Sequence, residues 1–499
     1  MDELRPHDRS SGISRRTTLG LLGALTVGSL ATGCRQEPVK SEPLLGDYSL
    51  TDWVADRGDK YLVAHRGAGD VFPEHSMESY DAAVAWGAPA MEISVGITAD
   101  NVLVCLHDLT LDRTTNLKGN LRTTTYTALA AGWLEVPRLG PRWTQAKVRV
   151  PLFEDVLRKF GGRVILAVEA KDDRAHAPMM AMVSKYRLEQ SVLVKTYFKS
   201  RRIAEAKSLG LGVFAYFTSP QEMTPETIQA VAGQLSPRTD AIVVPNSGPG
   251  GYLAAPLVDA VVATGIPVWP YPLHRRSDVK HYRALGMQGA VTSNIGYLLG
   301  KTAQATTDQW ASGALVPGEL TRDPYDDRFA IAWGRGGTIG LGAVGTQHFL
   351  TLGHLGPITS PAYTVEFQAS YSVLPADPLA NLTLAFAHAD DEYYEHRLGA
   401  SNGYHAILQA NGELGLYTHR VGNRPGIKLG VKKTAAVFRG EWMKFRLDVT
   451  PTTLTWRRLD QPAKVTVVEK SFRGGYLHIG RGSTDGSLAL RGLKVTRTP

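Results

Sequence analysis

The sequence predicts a closed parallel α/β barrel followed by an all-β sandwich, and three observations predict it. Short apolar runs alternate with helix-like stretches between residues 61 and 300, the helical period vanishes after residue 328, and the chain has 499 residues. That length exceeds one ordinary domain, although an α/β barrel alone can use about 250 residues.

The candidate barrel strands are Tyr61–Ala64, Ala90–Val95, Val102–Leu106, Val164–Val168, Val192–Thr196, Gly212–Tyr216, Ala241–Val244, Pro267–Tyr271 and Gly289–Thr292. Between them, Met77–Trp86, Leu152–Phe160, Lys199–Ser208, Pro256–Ala263 and Ser277–Leu285 place apolar residues three and four apart, as amphipathic helices do. Buried strands alternating with helices form parallel sheets. Their number favours closure into a barrel over the alternative, a doubly wound open sheet. Residues 301–327 are polar and small, with Pro317 and Pro324, and read as a linker. Beyond them, Tyr363–Tyr371, Asn381–Ala387, Tyr404–Gln409, Leu414–His419, Trp442–Val449, Thr453–Arg458, Val465–Glu469 and Tyr476–Ile479 are short strands separated by Gly, Asn, Asp and Pro. That spacing is the signature of a sandwich over 328–499.

Composition narrows the function. A 43% hydrophobic, 20% charged chain is ordinary globular usage, which excludes a largely disordered one. No apolar run outside the first 34 residues is long enough to span a bilayer. A net charge of +8 spread over this length suits anionic ligands but does not point to nucleic acid. Two cysteines, Cys34 and Cys105, exclude a disulfide scaffold or a cysteine-rich metal site.

The first 34 residues read as an address, with residues 35–60 as a tether. Ser14-Arg15-Arg16-Thr17-Thr18-Leu19 precedes a weakly apolar run to Gly33 and resembles a twin-arginine signal. A chance arginine pair before a short anchor helix is the alternative. The run ends Leu30-Ala31-Thr32-Gly33-Cys34, which resembles a bacterial lipoprotein box, so export is expected and acylation of Cys34 would give a membrane tether. Removing residues 1–33 takes away four Arg and three acidic residues, leaving a charge near +7.

The chemistry gathers at predicted strand ends. Val63-Ala64-His65-Arg66-Gly67 closes the first strand, then come Pro73-Glu74-His75-Ser76, Met91-Glu92-Ile93-Ser94 and Leu106-His107-Asp108. Later, Glu169-Ala170-Lys171 puts an acid and a base on one face of a strand. On a barrel, the C-terminal strand ends face the active site. Charge at buried strand ends is costly to desolvate unless it binds something.

This ordered set resembles the glycerophosphodiester phosphodiesterase family, whose signature runs His-Arg-Gly, Pro-Glu-Asn-Thr, Glu-x-Asp, His-Asp and Glu-x-Lys along a TIM barrel. The resemblance covers residues 61–300. It implies His65 and His107 as the catalytic pair, Glu92 and Glu169 as ligands of one divalent cation, and Arg66 and Lys171 as phosphate contacts. Oxygen ligands suit Ca²⁺ or Mg²⁺. A cation with Arg and Lys would stabilise charge gathering on a phosphodiester, and imidazoles can move protons near neutrality. Which histidine is acid and which base, and whether a substrate hydroxyl attacks first, stays open.

Two residues depart from the pattern. Ser94 stands where the family's Glu-x-Asp has its aspartate, removing one expected metal ligand, for which Asp108 or another acid could compensate. His75 stands where the family has Asn. Near the barrel's end, Trp269 is expected in packing and Tyr271 at the cleft, while Lys195 reads equally as a solvated strand tip.

The C-terminal pattern, with Trp442–Val449 and Gly475–Gly480, resembles a concanavalin or laminin-G jelly-roll-type sandwich, a fold-level analogy that implies a glycan or envelope ligand. Asp390-Asp391-Glu392 with Tyr393 and Tyr394 reads as a solvated acidic turn, with a Ca²⁺ or sugar site as the alternative. The expected protein is thus an exported, metal-assisted phosphodiesterase acting on glycerophosphodiesters or glycerol-phosphate polymers. The rivals are a phospholipase D-like enzyme on lipid head groups and a non-catalytic envelope-binding protein.

Overall fold

Eight runs rich in Val, Ile, Leu and Ala pair in parallel, because each is apolar on both faces and needs cover on both. In the computed structural model their order around the sheet is Val268–Tyr271, Ala241–Pro245, Gly212–Tyr216, Val192–Tyr197, Ile165–Ala170, Ala90–Ile97, Leu62–Ala64 and Ala290–Thr292. The two ends meet where the Leu273 amide donates to the Val291 carbonyl at 2.9 Å, which nearly closes the barrel. The structure describes residues 46–497 apart from 57, 59, 60, 249, 250, 301, 393–401 and 422. The expected signal, Cys34, most of the expected tether's first part, Tyr393 and Tyr394 lie outside the described residues.

One expected barrel strand has a different place. Leu103–Cys105 pairs antiparallel with Ala90–Ile97 and stays off the barrel path. The connection through Asp100 and Asn101, with Asn101 at φ 64°, makes a hairpin and is too short for a parallel crossover. The five expected helices form as Met77–Ala85, Phe153–Phe160, Arg202–Ser208, Ala255–Val262 and Arg276–Ala284. Asp173–Lys185 is a further helix, started by the Asp172 side chain accepting from the Arg174 amide.

The barrel interior is packed at one end. Trp269 lies 5.0 Å from Trp53, 5.1 Å from Tyr61 and 5.2 Å from Phe214, ring centre to ring centre. Trp53 comes from the helix Leu50–Ala55, whose capping box is Ser49 with Asp52. Trp269 is therefore core, as expected, and this filled floor leaves only the opposite end open to chemistry.

The sandwich has two seven-stranded antiparallel sheets among the described residues. Tyr363–Val373 alternates buried and partly exposed positions over its first half, so its inner face carries Tyr363, Val365, Phe367 and Ala369. Phe367, Phe445 and Trp456 stack between the sheets, and the Trp456 indole donates to the Ile407 carbonyl of the facing sheet at 3.0 Å.

The polar stretch read as a linker is packed into the sandwich. Trp310 is fully buried in its core and donates to Glu319 Oε1 at 2.8 Å, and Glu319–Leu320 pairs with Thr351 and Leu352. Composition misleads here because a few large residues do the anchoring. The acidic turn also differs from its expected solvated form. Asp391 is buried and accepts from the Arg276 and Ser277 amides at 2.7 and 3.0 Å, capping the barrel helix Arg276–Ala284. Tyr297 donates to the same carboxylate at 2.7 Å.

Candidate functional site

The barrel mouth gathers every residue that the motifs single out. His65 directly follows the first strand, where its amide donates to the Thr292 carbonyl at 2.8 Å. The chain then turns sharply, with Arg66 at φ 54° and Gly67 at φ 81°, and a Cβ on Gly67 would collide with Ser79 Oγ. Glu92 and Ser94 face inward two apart on one strand, and Ser94 is in register with Glu169 on the next.

The two histidines are held from opposite sides. His65 Nδ1 lies 2.7 Å from Ser293 Oγ and 2.9 Å from the Tyr325 hydroxyl, while Nε2 lies 3.2 Å from Glu92 Oε2. His107 Nδ1 lies 2.7 Å from Asp108 Oδ1, and its Nε2 lies 3.4 Å from Lys171 Nζ. The Asp108 carboxylate only accepts, which puts a proton on His107 Nδ1, whereas the approach of His65 Nε2 to Glu92 Oε2 is an ion-pair distance without a hydrogen bond. His107 Nε2 then accepts from the Lys171 ammonium. Burial, reinforced by Arg66 and Lys195, holds the His65 imidazole well below its ordinary range, with Glu92 opposing. Burial lowers His107 too. Both rings are accordingly neutral at pH 7.

The cations divide into two groups. Arg66 donates to Glu74 at 3.0 and 3.2 Å, and Arg113 reaches the same carboxylate at 2.7 and 3.0 Å and Asp108 at 2.6 Å. Burial opposes the Glu74 charge, but Arg66 and Arg113 outweigh it and keep its carboxyl well below the usual range. Lys171 lies 3.3 Å from Glu169 Oε1. Lys195, far from being a solvated tip, is buried between the two expected metal ligands. It donates to Glu92 Oε1 and lies 2.9 Å from Glu169 Oε2, and the Tyr216 hydroxyl donates to Glu169 at 3.0 Å.

The residues present do not fit the divalent cation that the resemblance implies. Glu92 and Glu169 already share an ammonium, and Ser94 Oγ is buried without a hydrogen bond. Asp108 does not compensate, being taken up by His107 and Arg113. Among the described residues, no group of three or more His, Cys, Asp or Glu is placed to hold a metal. His75, at φ 57°, is buried and points Nδ1 at the Tyr80 hydroxyl, 2.8 Å away. Tyr271, expected at the cleft, is partly buried and donates to the Phe217 carbonyl at 2.8 Å.

Sequence reasoning passed over Tyr325 and gave Arg113 and Ser293 no role. Tyr325 comes from the former linker, and with Arg113, Arg138 and Trp333 it lines a cavity of about 650 Å³ beside the mouth. Arg113 stands five residues after Asp108, and Ser293 stands in the Thr292-Ser293-Asn294 stretch that closes the barrel.

Residues 65–297 match the glycerophosphoryl diester phosphodiesterase family. The glycerophosphodiester phosphodiesterase of Bacillus subtilis is 26% identical over 245 residues, covering 46% of this chain and 82% of that protein. That of Bacillus altitudinis is 25% identical over 243 residues, covering 46% and 93%. The uncharacterized protein YqiK of Bacillus subtilis is 31% identical over 146 residues, which are 27% of this chain and only 57% of YqiK. The solved structure of glycerophosphodiester phosphodiesterase from Agrobacterium tumefaciens aligns at a TM-score of 0.37 and 22% identity, covering 46% of this chain and 96% of that one.

Proposed function

We propose, from a barrel that is a domain of the glycerophosphoryl diester phosphodiesterase family, that this chain hydrolyses glycerophosphodiesters to glycerol phosphate and an alcohol. The observation that carries this reading is the gathering of two buried histidines, each held against a carboxylate, at one barrel mouth.

In this reading His107 Nε2 takes the proton of the attacking oxygen, and Asp108 stabilises the imidazolium that results, as in other Asp–His pairs. The new oxygen–phosphorus bond forms as the bond to the leaving alcohol breaks, and His65, protonated from solvent as the anionic substrate binds, gives that proton to the departing oxygen and returns to neutral. One water is consumed overall. Ser293 and Tyr325 hold the His65 ring in place at Nδ1. Lys171, beside Glu169 and His107, and Arg66 face the phosphate, where fixed positive charge counts most as charge builds up. The neighbouring cavity lined by Arg113, Arg138, Tyr325 and Trp333 takes the rest of the substrate. We further propose that the N-terminal address exports the protein and that the sandwich holds a glycan or other envelope polymer near the barrel.

Phosphorus NMR of glycerophosphocholine incubated with the purified full chain tests the assignment. The expected new signal is glycerol phosphate. Phosphocholine instead would mean that the other ester bond is cut, and head-group release from intact lipid vesicles would favour the phospholipase D-like activity.

A further inference from the structure

We propose that the Lys195 ammonium is this barrel's built-in cation, standing in place of the divalent metal ion. The inference rests on the phosphodiesterase reading of the barrel mouth and concerns what supplies its central positive charge.

Three observations carry it. First, Lys195 Nζ bridges Glu92 and Glu169, the two carboxylates that the motif resemblance assigns to the metal. Those acids are almost wholly buried, and two such carboxylates stay ionised side by side only around a cation.

Second, the substitution at position 94 balances the exchange. Three carboxylates with a divalent ion carry a net local charge of minus one. Two carboxylates with an ammonium carry the same. Serine at 94 therefore leaves a site whose charge matches a monovalent cation, and its hydroxyl is buried without a hydrogen bond, as expected where a ligand's role has lapsed.

Third, the ammonium is anchored to act. It rises from the strand Val192–Tyr197 over the face of Tyr216, with the nitrogen 5.2 Å from the ring centre. One of its three donors is spent on Glu92 Oε1, with Glu169 Oε2 at an ion-pair distance of 2.9 Å, which leaves a donor for a phosphate oxygen of the substrate. A metal ion entering between the same carboxylates would have to expel this charge from its ion pairs.

Equilibrium dialysis of the full chain against Ca²⁺, Mg²⁺ and Mn²⁺, with metal measured by mass spectrometry, tests the proposal without depending on turnover. The wild type is expected to retain no stoichiometric metal, and its hydrolysis of glycerophosphocholine to be unchanged by a chelator. Lys195→Ala should lose about 10²-fold in kcat, the scale of removing one electrostatic stabiliser. Lys195→Ala with Ser94→Asp should bind one equivalent of metal and regain turnover only when metal is present. One equivalent of metal on the wild type, or full turnover in a folded Lys195→Ala chain, would overturn the inference. A wild type that binds no metal and cleaves nothing, alongside a double variant that does bind metal, would uphold the ammonium and sink the phosphodiesterase reading instead.

Discussion

The molecule buries imidazoles in two places, and their surroundings separate packing from chemistry. In the sandwich, His388, His405 and His419 stack ring on ring at centroid distances of 5.5 and 5.3 Å, with His478 edge-on to His388 at 5.2 Å. Burial, followed by the neighbouring imidazoles, keeps His388 and His405 neutral. At the barrel mouth, His65 and His107 are just as neutral, but each has a carboxylate on one nitrogen and a hydroxyl or ammonium beside the other. Burial by itself lowers an imidazole's pKa without making it catalytic. Fixed partners of opposite polarity give each ring a direction in which to move a proton.

The sharpest way to break that comparison is to remove one ring from each cluster. His65→Ala should cost roughly 10²- to 10⁴-fold in kcat, the usual worth of a positioned acid or base. His405→Ala should leave kcat unchanged and lower only the melting temperature. Equal kinetic losses in both would erase the distinction.

A smaller effect sharpens the role of the partners. Tyr325→Phe deletes one of the two hydroxyls on His65 Nδ1 and should lower kcat by up to about tenfold, the equivalent of one ordinary hydrogen bond. The acid limb of the pH–rate profile should also move, because the tyrosine helps hold the ring at Nδ1. A change in KM alone would show that Tyr325 serves substrate binding only.

The seam between the regions should respond in stability and not in rate. Asp391→Ala leaves the partly buried amides of Arg276 and Ser277 without their acceptor and should cost about 1–3 kcal/mol in chemical denaturation. Turnover at low temperature should persist.

The mildest change at neutral pH concerns His75. Burial brings its pKa down to about 3 from 6.5, so between those values the unfolded chain binds the extra proton. Its contribution to stability is complete above 6.5 and is lost as pH falls toward 3. His75→Asn should therefore flatten the acid side of the stability profile while changing little at pH 8. An unchanged acid slope would mean other groups dominate it.

The fold was legible because its strands are apolar runs of ordinary length and its helices keep a clear stripe. Leu103–Cys105 escaped correct placement because a hairpin strand and a parallel one share the same local composition. In the site, His65, Arg66, Glu92, His107, Glu169 and Lys171 were readable from local motifs at strand ends. Lys195 was not, since a lysine at a strand end shows its meaning only through partners: Glu92 lies 103 residues away. Tyr325 is further still, 260 residues from His65, in a stretch whose polarity suggests only a connection. Ser94 was noticed as a loss, but the gain that answers it lies on another strand.

The most direct measurement is the rate of glycerol phosphate release from glycerophosphocholine by the purified full chain, wild type against His65→Ala. Release by the wild type that all but disappears in the variant is the predicted result. No release by the wild type, or equal release by both, would contradict the proposal that this barrel mouth is a phosphodiesterase site.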